Sequence, residues 1–197
     1  MRKSLQFFFL AALTLYLCIG LHAKAQKMGT TAMNDTADVV SYAINLTVVN
    51  LLSQQIQGMT EVSFTTPLSS ISHLPLTLKQ LQVDSVKSEN DELLNFSHIA
   101  DNLRIQLNQP LSAGDTNMVR IYYQGVPFHE SWGGFHFSGS YAFNLGVGFE
   151  SIPHNLGKAW FPCNDNFTDR AFYEYRIRVE NDKLAVCGGL LRSVSTM

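Results

Sequence analysis

Apolar and polar residues alternate along most of the chain, and this period of two constrains the fold more than any other feature. Over the range 39–48, the side chains of Tyr42, Ile44, Leu46 and Val48 fall on one face. Such a pattern is typical of a half-buried β-strand. Further apolar runs of strand length occupy the ranges 60–65, 74–78, 81–86, 96–99, 103–107, 119–123 and 173–179.

Turn residues separate these runs. We expect the chain to break at Gln57-Gly58, to turn at Asp101-Asn102 inside a hairpin, and to form a loop over the range 110–115. The range 125–148 is rich in glycine and aromatic residues, which favours short strands with bulges or close backbone approach. No window of roughly eleven residues or more after residue 25 has a helical period. The sequence therefore predicts an all-β domain, a β-sandwich or a saddle-like stack of mostly antiparallel sheets.

The first 25 residues are built like a secretory signal peptide. A basic start at Arg2-Lys3 precedes an apolar run over 5–21, and Ala23-Lys24-Ala25 forms a small-x-small cleavage site. We expect cleavage after Ala25, a flexible leader over 26–38, and one β-domain over 39–197. The protein is then exported to the periplasm or the extracellular space and keeps no stable membrane span. The alternatives are an uncleaved membrane anchor and, less favoured because Leu17 precedes it, lipidation at Cys18.

Charge and cysteine content exclude some classes of function. With 14 basic and 16 acidic residues, the net charge of −2 gives no reason to expect a nucleic-acid partner. Export would leave Cys163 and Cys187 in an oxidising compartment, where they form either a disulfide or two separate buried thiols. Neither cysteine has a second Cys or His at zinc-ligand spacing.

The segment that begins at His129-Glu130 starts like the helical motif of zinc proteases. That motif needs a second histidine four positions later, and Gly133 stands there instead. His136 is a substitute only if the segment is a loop, so we expect a surface loop that binds no metal. Asp165 and Asp169 are expected to cap backbone amides. No nucleophile motif is present, and we expect no catalytic residue in this chain.

The densest aromatic motif is Trp160-Phe161-Pro162-Cys163-Asn164-Asp165-Asn166, and it is followed by Arg170-Ala171-Phe172-Tyr173-Glu174-Tyr175. This stretch resembles a signature in the N-terminal domain of the zinc aminopeptidase N family, the gluzincin metallopeptidases. Segments that flank the motif resemble strands of that domain in the same order, and they span 42–48, 58–64, 103–107, 111–114, 119–125 and 183–190. The resemblance covers about Asp38 to Leu191. This chain departs from the signature at Lys158, where the family has Arg, and at Asn166-Phe167, where it has Glu-Pro.

The resemblance implies an exported enzyme that removes N-terminal residues from peptides. In the family, the zinc ligands and the catalytic residues belong to a following helical domain, and this chain stops before it. We therefore expect a domain that is incomplete at its C-terminus, has no cofactor of its own, meets peptide substrates through the missing domain, and is inactive alone. The resemblance makes Glu150 the candidate ligand of the substrate's free amine, although an ordinary exposed carboxylate remains the alternative. A free-standing secreted β-sandwich that binds a peptide or a glycan is the alternative function.

Overall fold

The computed structural model describes residues 36–167, 169–180 and 182–195. The predicted signal peptide over 1–25 and most of the predicted leader lie outside these residues. The described part contains eleven β-strands, one 3₁₀ turn at Gly157–Ala159, and no α-helix. The strands are β1 (Asp38–Asn50), β2 (Gln55–Thr65), β3 (Ser70–Thr77), β4 (Gln82–Ser88), β5 (Phe96–Ile99), β6 (Asn102–Ser112), β7 (Thr116–Gly125), β8 (His129–Glu130), β9 (Gly133–Ser138), β10 (Tyr141–Gly148) and β11 (Phe172–Arg178).

The strands form three sheets. The largest has five strands in the order β11-β1-β2-β7-β4, and the two smaller ones have the orders β10-β9-β8 and β3-β6-β5. All neighbouring pairs are antiparallel except β1 and β11, which are parallel. The all-β prediction, with mostly antiparallel sheets, is confirmed.

The alternating pattern identifies the core correctly. On β1, Tyr42, Ile44 and Leu46 are buried while the residues between them are partly exposed. The same holds on β2 and on β7, whose inward side chains are fully buried. One apolar cluster joins these side chains with those of β3 and β6, such as Leu74 and Leu103. Because burial of one large apolar side chain contributes about 1.5–3 kcal/mol, this shared core is what holds the sheets together.

The predicted break at Gln57-Gly58 is wrong, because β2 runs straight through these residues. The chain instead turns just before β2, where Gln54 has a φ of 55°. Gly58 is required for another reason. A Cβ on Gly58 would come within 2.6 Å of Cε2 of Tyr123, whose ring is fully buried on β7. The glycine therefore marks a close approach between a strand and a neighbouring ring.

The hairpin of β5 and β6 is confirmed, but its turn lies one residue earlier than predicted, at Ala100-Asp101, with Ala100 at a φ of 52°. The predicted loop over 110–115 is also too long, since β6 continues to Ser112. Pro110 fits inside β6 because it lies in a register shift between the residues that pair with β3. A proline, which has no N–H to donate, is tolerated at such irregular positions.

The strand expected over 183–190 is absent from the structure. β11 ends at Arg178 and is an edge strand, and residues 182–195 form no strand. A segment needs partner backbone groups to become a strand, and none of the described residues supplies them to this one. Its apolar side chains are consequently exposed, namely Leu184, Val186, Leu190, Leu191 and Val194. The described residues contain no helix long and apolar enough to cross a membrane.

Candidate functional site

A buried carboxylate organises the loop that follows β10. Glu130 on β8 is only 9% exposed, although it is charged. Its Oε1 accepts a hydrogen bond from the backbone N–H of Glu150 at 2.8 Å, and its Oε2 accepts one from the Ser151 hydroxyl at 2.5 Å. The Ser151 hydroxyl and the backbone N–H groups of 149–151 hold the pKa of Glu130 below its ordinary value, against the opposing effect of desolvation. Glu130 is therefore ionised at neutral pH.

Two glycines make room for this arrangement. A Cβ on Gly148 would lie 2.7 Å from Cδ of Glu130, and a Cβ on Gly133 would lie 2.5 Å from the carbonyl oxygen of Val147. Gly133 and Gly148 face each other across the β9–β10 pair. The predicted close backbone approach in the range 125–148 is thus confirmed, and it lets the Glu130 carboxylate reach the loop.

Glu150, the candidate ligand of a substrate amine, lies on this loop. Glu150 is exposed, and its backbone N–H donates a hydrogen bond to the Glu130 carboxylate. The carboxylate of Glu150 is thus presented to solvent from a backbone that is fixed by a second, buried carboxylate. The sequence analysis proposed Glu150 as a site residue and considered Glu130 only as part of a zinc-protease-like segment. The signal for the contact that Glu130 makes is the pair of glycines, Gly133 and Gly148, that gives its carboxylate room.

His129 and His136 do come close together, with ring centroids 5.2 Å apart. They do not lie on the expected surface loop, since His129 lies on β8 and His136 lies on β9. His136 Nε2 lies 2.8 Å from the carbonyl oxygen of Gly133, and its ring stacks on Phe143. Among the described residues, no three His, Cys, Asp or Glu side chains are placed to hold a metal ion.

The aromatic motif around Cys163 joins two parts of the fold. Cys163 and Thr77 on β3 exchange backbone hydrogen bonds of 2.8 and 3.0 Å, and the Thr77 hydroxyl also donates to the Cys163 carbonyl oxygen. The backbone N–H of Asn164 donates to the hydroxyl of Tyr42 on β1 at 2.8 Å. Phe161 packs edge-on against the ring of Tyr42, with the centroids 5.4 Å apart. The motif thus ties the five-stranded sheet to β3.

The same motif contains a nearly buried ion pair between Lys158 and Asp165. Lys158 Nζ lies 3.6 Å from Asp165 Oδ2, and the side chains are 14% and 9% exposed. Burial raises the pKa of Asp165, while Lys158 and the N–H of Gly157 oppose that shift. Asp165 Oδ1 accepts the N–H of Gly157 at 3.2 Å, so Asp165 caps a backbone amide as expected. Lys158 is one of the residues at which the chain departs from the signature that the motif resembles, and here its charge balances that of Asp165.

The two cysteines are free thiols in this structure. Cys163 is buried and Cys187 is exposed. Burial, followed by the nearby Asp165, raises the pKa of the Cys163 thiol. Cys163 also borders a cavity of about 270 Å³, together with Asp165, Asp169 and Tyr173. The expected buried thiol is thus found at Cys163, whereas Cys187 is exposed.

Comparison with known structures places this fold. No family model matches the sequence, and no curated protein does either. Solved structures do match: an M1 zinc metallopeptidase from Deinococcus radiodurans has a TM-score of 0.73 at 23% identity over 83% of this chain. A substituted form of an M1 zinc metallopeptidase from the same organism, bound to a Tyr-Ser-Ala substrate, gives 0.72 at 23% over 82%. A two-domain M1 zinc metallopeptidase bound to L-arginine gives 0.73 at 23% over 82%.

These matches define the class of fold. Each covers 37% of the other protein's chain, so this chain spans little more than a third of the length of its structural neighbours. The fold is that of a β-rich part of M1 zinc metallopeptidases. The resemblance that the motifs indicate is thereby confirmed at the level of the fold.

Proposed function

We propose that this chain is the N-terminal β-domain of an exported zinc aminopeptidase, whose zinc ion and catalytic residues belong to a separate domain. The observation that carries the proposal is the fold shared with M1 zinc metallopeptidases. The ordered sequence motifs support the proposal independently of the fold. The resemblance is densest in the aromatic motif around Cys163, which also contains the Lys158–Asp165 ion pair. In this proposal the chain helps to bind peptides and does not itself cleave them.

Glu150 would contribute the contact with the substrate. A carboxylate that faces an ammonium group forms a charge-assisted hydrogen bond, which distinguishes a free N-terminus from an internal peptide bond. The position of Glu150 supports this role, since it is exposed on a loop whose backbone is held by Glu130. The structural neighbours include proteins bound to a peptide and to an amino acid, and this makes a peptide the substrate class we propose.

The DNA that follows the codon for Met197 tests the proposal. We expect an H-E-x-x-H sequence with a second glutamate further on, either in frame or after a frameshift, because two histidines one helical turn apart hold zinc in this class of peptidase. Restoring that frame should produce aminopeptidase activity, which we do not expect from the 197-residue chain by itself. A stop codon followed by an unrelated gene would contradict the proposal.

One observation favours a second function, a free-standing module that binds a peptide or a glycan. Trp132 and Phe149 are 69% and 73% exposed, and the N–H of Phe149 donates to the carbonyl oxygen of Trp132. Exposed aromatic rings on a fixed backbone can stack against a ligand.

The solution behaviour of residues 26–197 separates the two functions. A domain that lacks its packing partner leaves the β11 edge and the apolar residues of 182–195 uncovered, so we expect self-association on size exclusion and low thermal stability. A sharp monomer peak with cooperative unfolding above about 60 °C would favour the independent module.

A further inference from the structure

The side chain of Glu130 lies in an unusual position for a carboxylate, since it is buried beneath a loop and faces backbone N–H groups. We infer that Glu130 is a positioning residue, whose buried carboxylate fixes the backbone of 149–151 and thereby sets where Glu150 presents its own carboxylate. This inference rests on the proposed function of Glu150. It assigns a role to a glutamate that the sequence analysis placed in a surface loop without function.

The geometry favours a carboxylate over any neutral side chain at this position. An ionised carboxylate has two oxygens that only accept hydrogen bonds, and both are used here, by the Glu150 N–H at 2.8 Å and by the Ser151 hydroxyl at 2.5 Å. Hydrogen bonds to an ionised acceptor are about twice as strong as neutral ones. A glutamine would keep one acceptor and replace the other with an NH₂ group, which cannot accept.

The surrounding backbone is built to admit this one side chain. The carboxylate occupies the space where Gly148 would carry a Cβ, and the loop leaves β10 directly after that glycine. On the other side, the carbonyl oxygen of Trp132 accepts the N–H of Phe149 at 3.2 Å. The loop is therefore held at two adjacent residues, by the turn after β8 and by the Glu130 side chain.

The test compares Glu130→Gln with Glu150→Gln in the 197-residue chain. The first readout is amide hydrogen exchange at Glu150 and Ser151, and the second is a titration with L-tyrosine amide followed by NMR. N-acetyl-L-tyrosine amide, which lacks the free amine, is the ligand control. Glu92→Gln is the variant control, because the Glu92 carboxylate also accepts one hydrogen bond, from Asn108 at 2.6 Å, but on an exposed surface.

We expect Glu130→Gln to speed exchange at Glu150 about tenfold and to weaken binding of the amine severalfold, with the global unfolding midpoint little changed. Glu150→Gln should abolish binding and leave the exchange rates as they are. Unchanged exchange and affinity in Glu130→Gln would overturn the positioning role. Failure of the unsubstituted chain to bind the amine would instead overturn the amine-ligand role proposed for Glu150 in this chain, and the exchange rates would still show whether Glu130 holds the loop.

A milder variant covers the case in which Glu130→Gln does not fold. Ser151→Ala removes the hydroxyl donor to Oε2 and leaves the carboxylate in place. We expect a smaller change in the same direction, faster exchange at Glu150 and weaker amine binding. Exchange and binding equal to those of the unsubstituted chain would count against the positioning role.

Discussion

Replacing Lys158 with methionine should lower the free energy of unfolding by about 3 kcal/mol at neutral pH. The substitution removes the ammonium 3.6 Å from Asp165 and leaves that carboxylate 9% exposed. Asp165 Oδ2 has no hydrogen-bond partner among the described residues, so Lys158 is its compensating charge. Urea unfolding of both proteins, followed by circular dichroism, measures the difference.

The size of this loss should depend on pH. Burial raises the pKa of Asp165 above its unfolded value of about 3.9, so the folded state binds the proton more tightly and stability falls as pH rises through that interval. Because Lys158 opposes the shift, its removal raises the folded pKa further and extends the interval upward. The deficit of Lys158→Met should therefore be smaller at pH 4.5 than at pH 7.5. An equal deficit at both pH values would mean that the loss comes from packing rather than charge.

Two further variants serve as controls for the ion pair. In Lys158→Met combined with Asp165→Asn the buried charge is absent, and most of the lost stability should return. Arg176→Met breaks the pair with Glu174, whose members are both 58% exposed. Such exposed pairs contribute little, so this change should cost less than about 0.5 kcal/mol.

Gly58→Ala should destabilise the domain by a comparable amount, about 3 kcal/mol, at the upper end for an overpacked core. The new Cβ would overlap the ring of Tyr123, which is fully buried and whose hydroxyl lies 3.3 Å from that of Thr60. Neither the ring nor the strand can move without disturbing the pairing of β2 with β7. Thermal and urea unfolding of the variant give the loss directly.

A second glycine and a double variant test the cause of that loss. Gly188→Ala is the matched control, since no heavy atom lies within 4 Å of its added Cβ, and it should change stability by less than about 0.5 kcal/mol. Tyr123→Leu replaces the ring with a smaller side chain and should reduce the effect of Gly58→Ala. The double variant should therefore lose less free energy of unfolding than the two single variants lose in sum. Strict additivity would show that the ring is not what Gly58 accommodates.

Gly58 shows which features of the fold the sequence predicts and which it does not. Alternation predicts β1, β2 and β7 because burial on one face is a local property of a strand. It does not predict that Gly58 lies within a strand, because the reason is a ring contributed by β7, far along the chain. Glu130 was overlooked on the same grounds, since the loop that its carboxylate holds follows two strands later. The segment 183–190 has the composition of a strand but no described partner, and pairing cannot be read from composition.

The parallel pairing of β1 with β11 sets an order for folding. Ser41 lies beside Phe172 and Thr47 beside Arg178, so partners come from opposite ends of the domain. The five-stranded sheet cannot be completed until nearly the whole domain has left the ribosome, whereas β1 can pair with β2 as soon as both have emerged. Contacts so distant in sequence also form slowly. Until β11 has emerged, the edge of β1 has unpaired backbone groups that can pair with another chain. Pairing with β11 removes this risk of association.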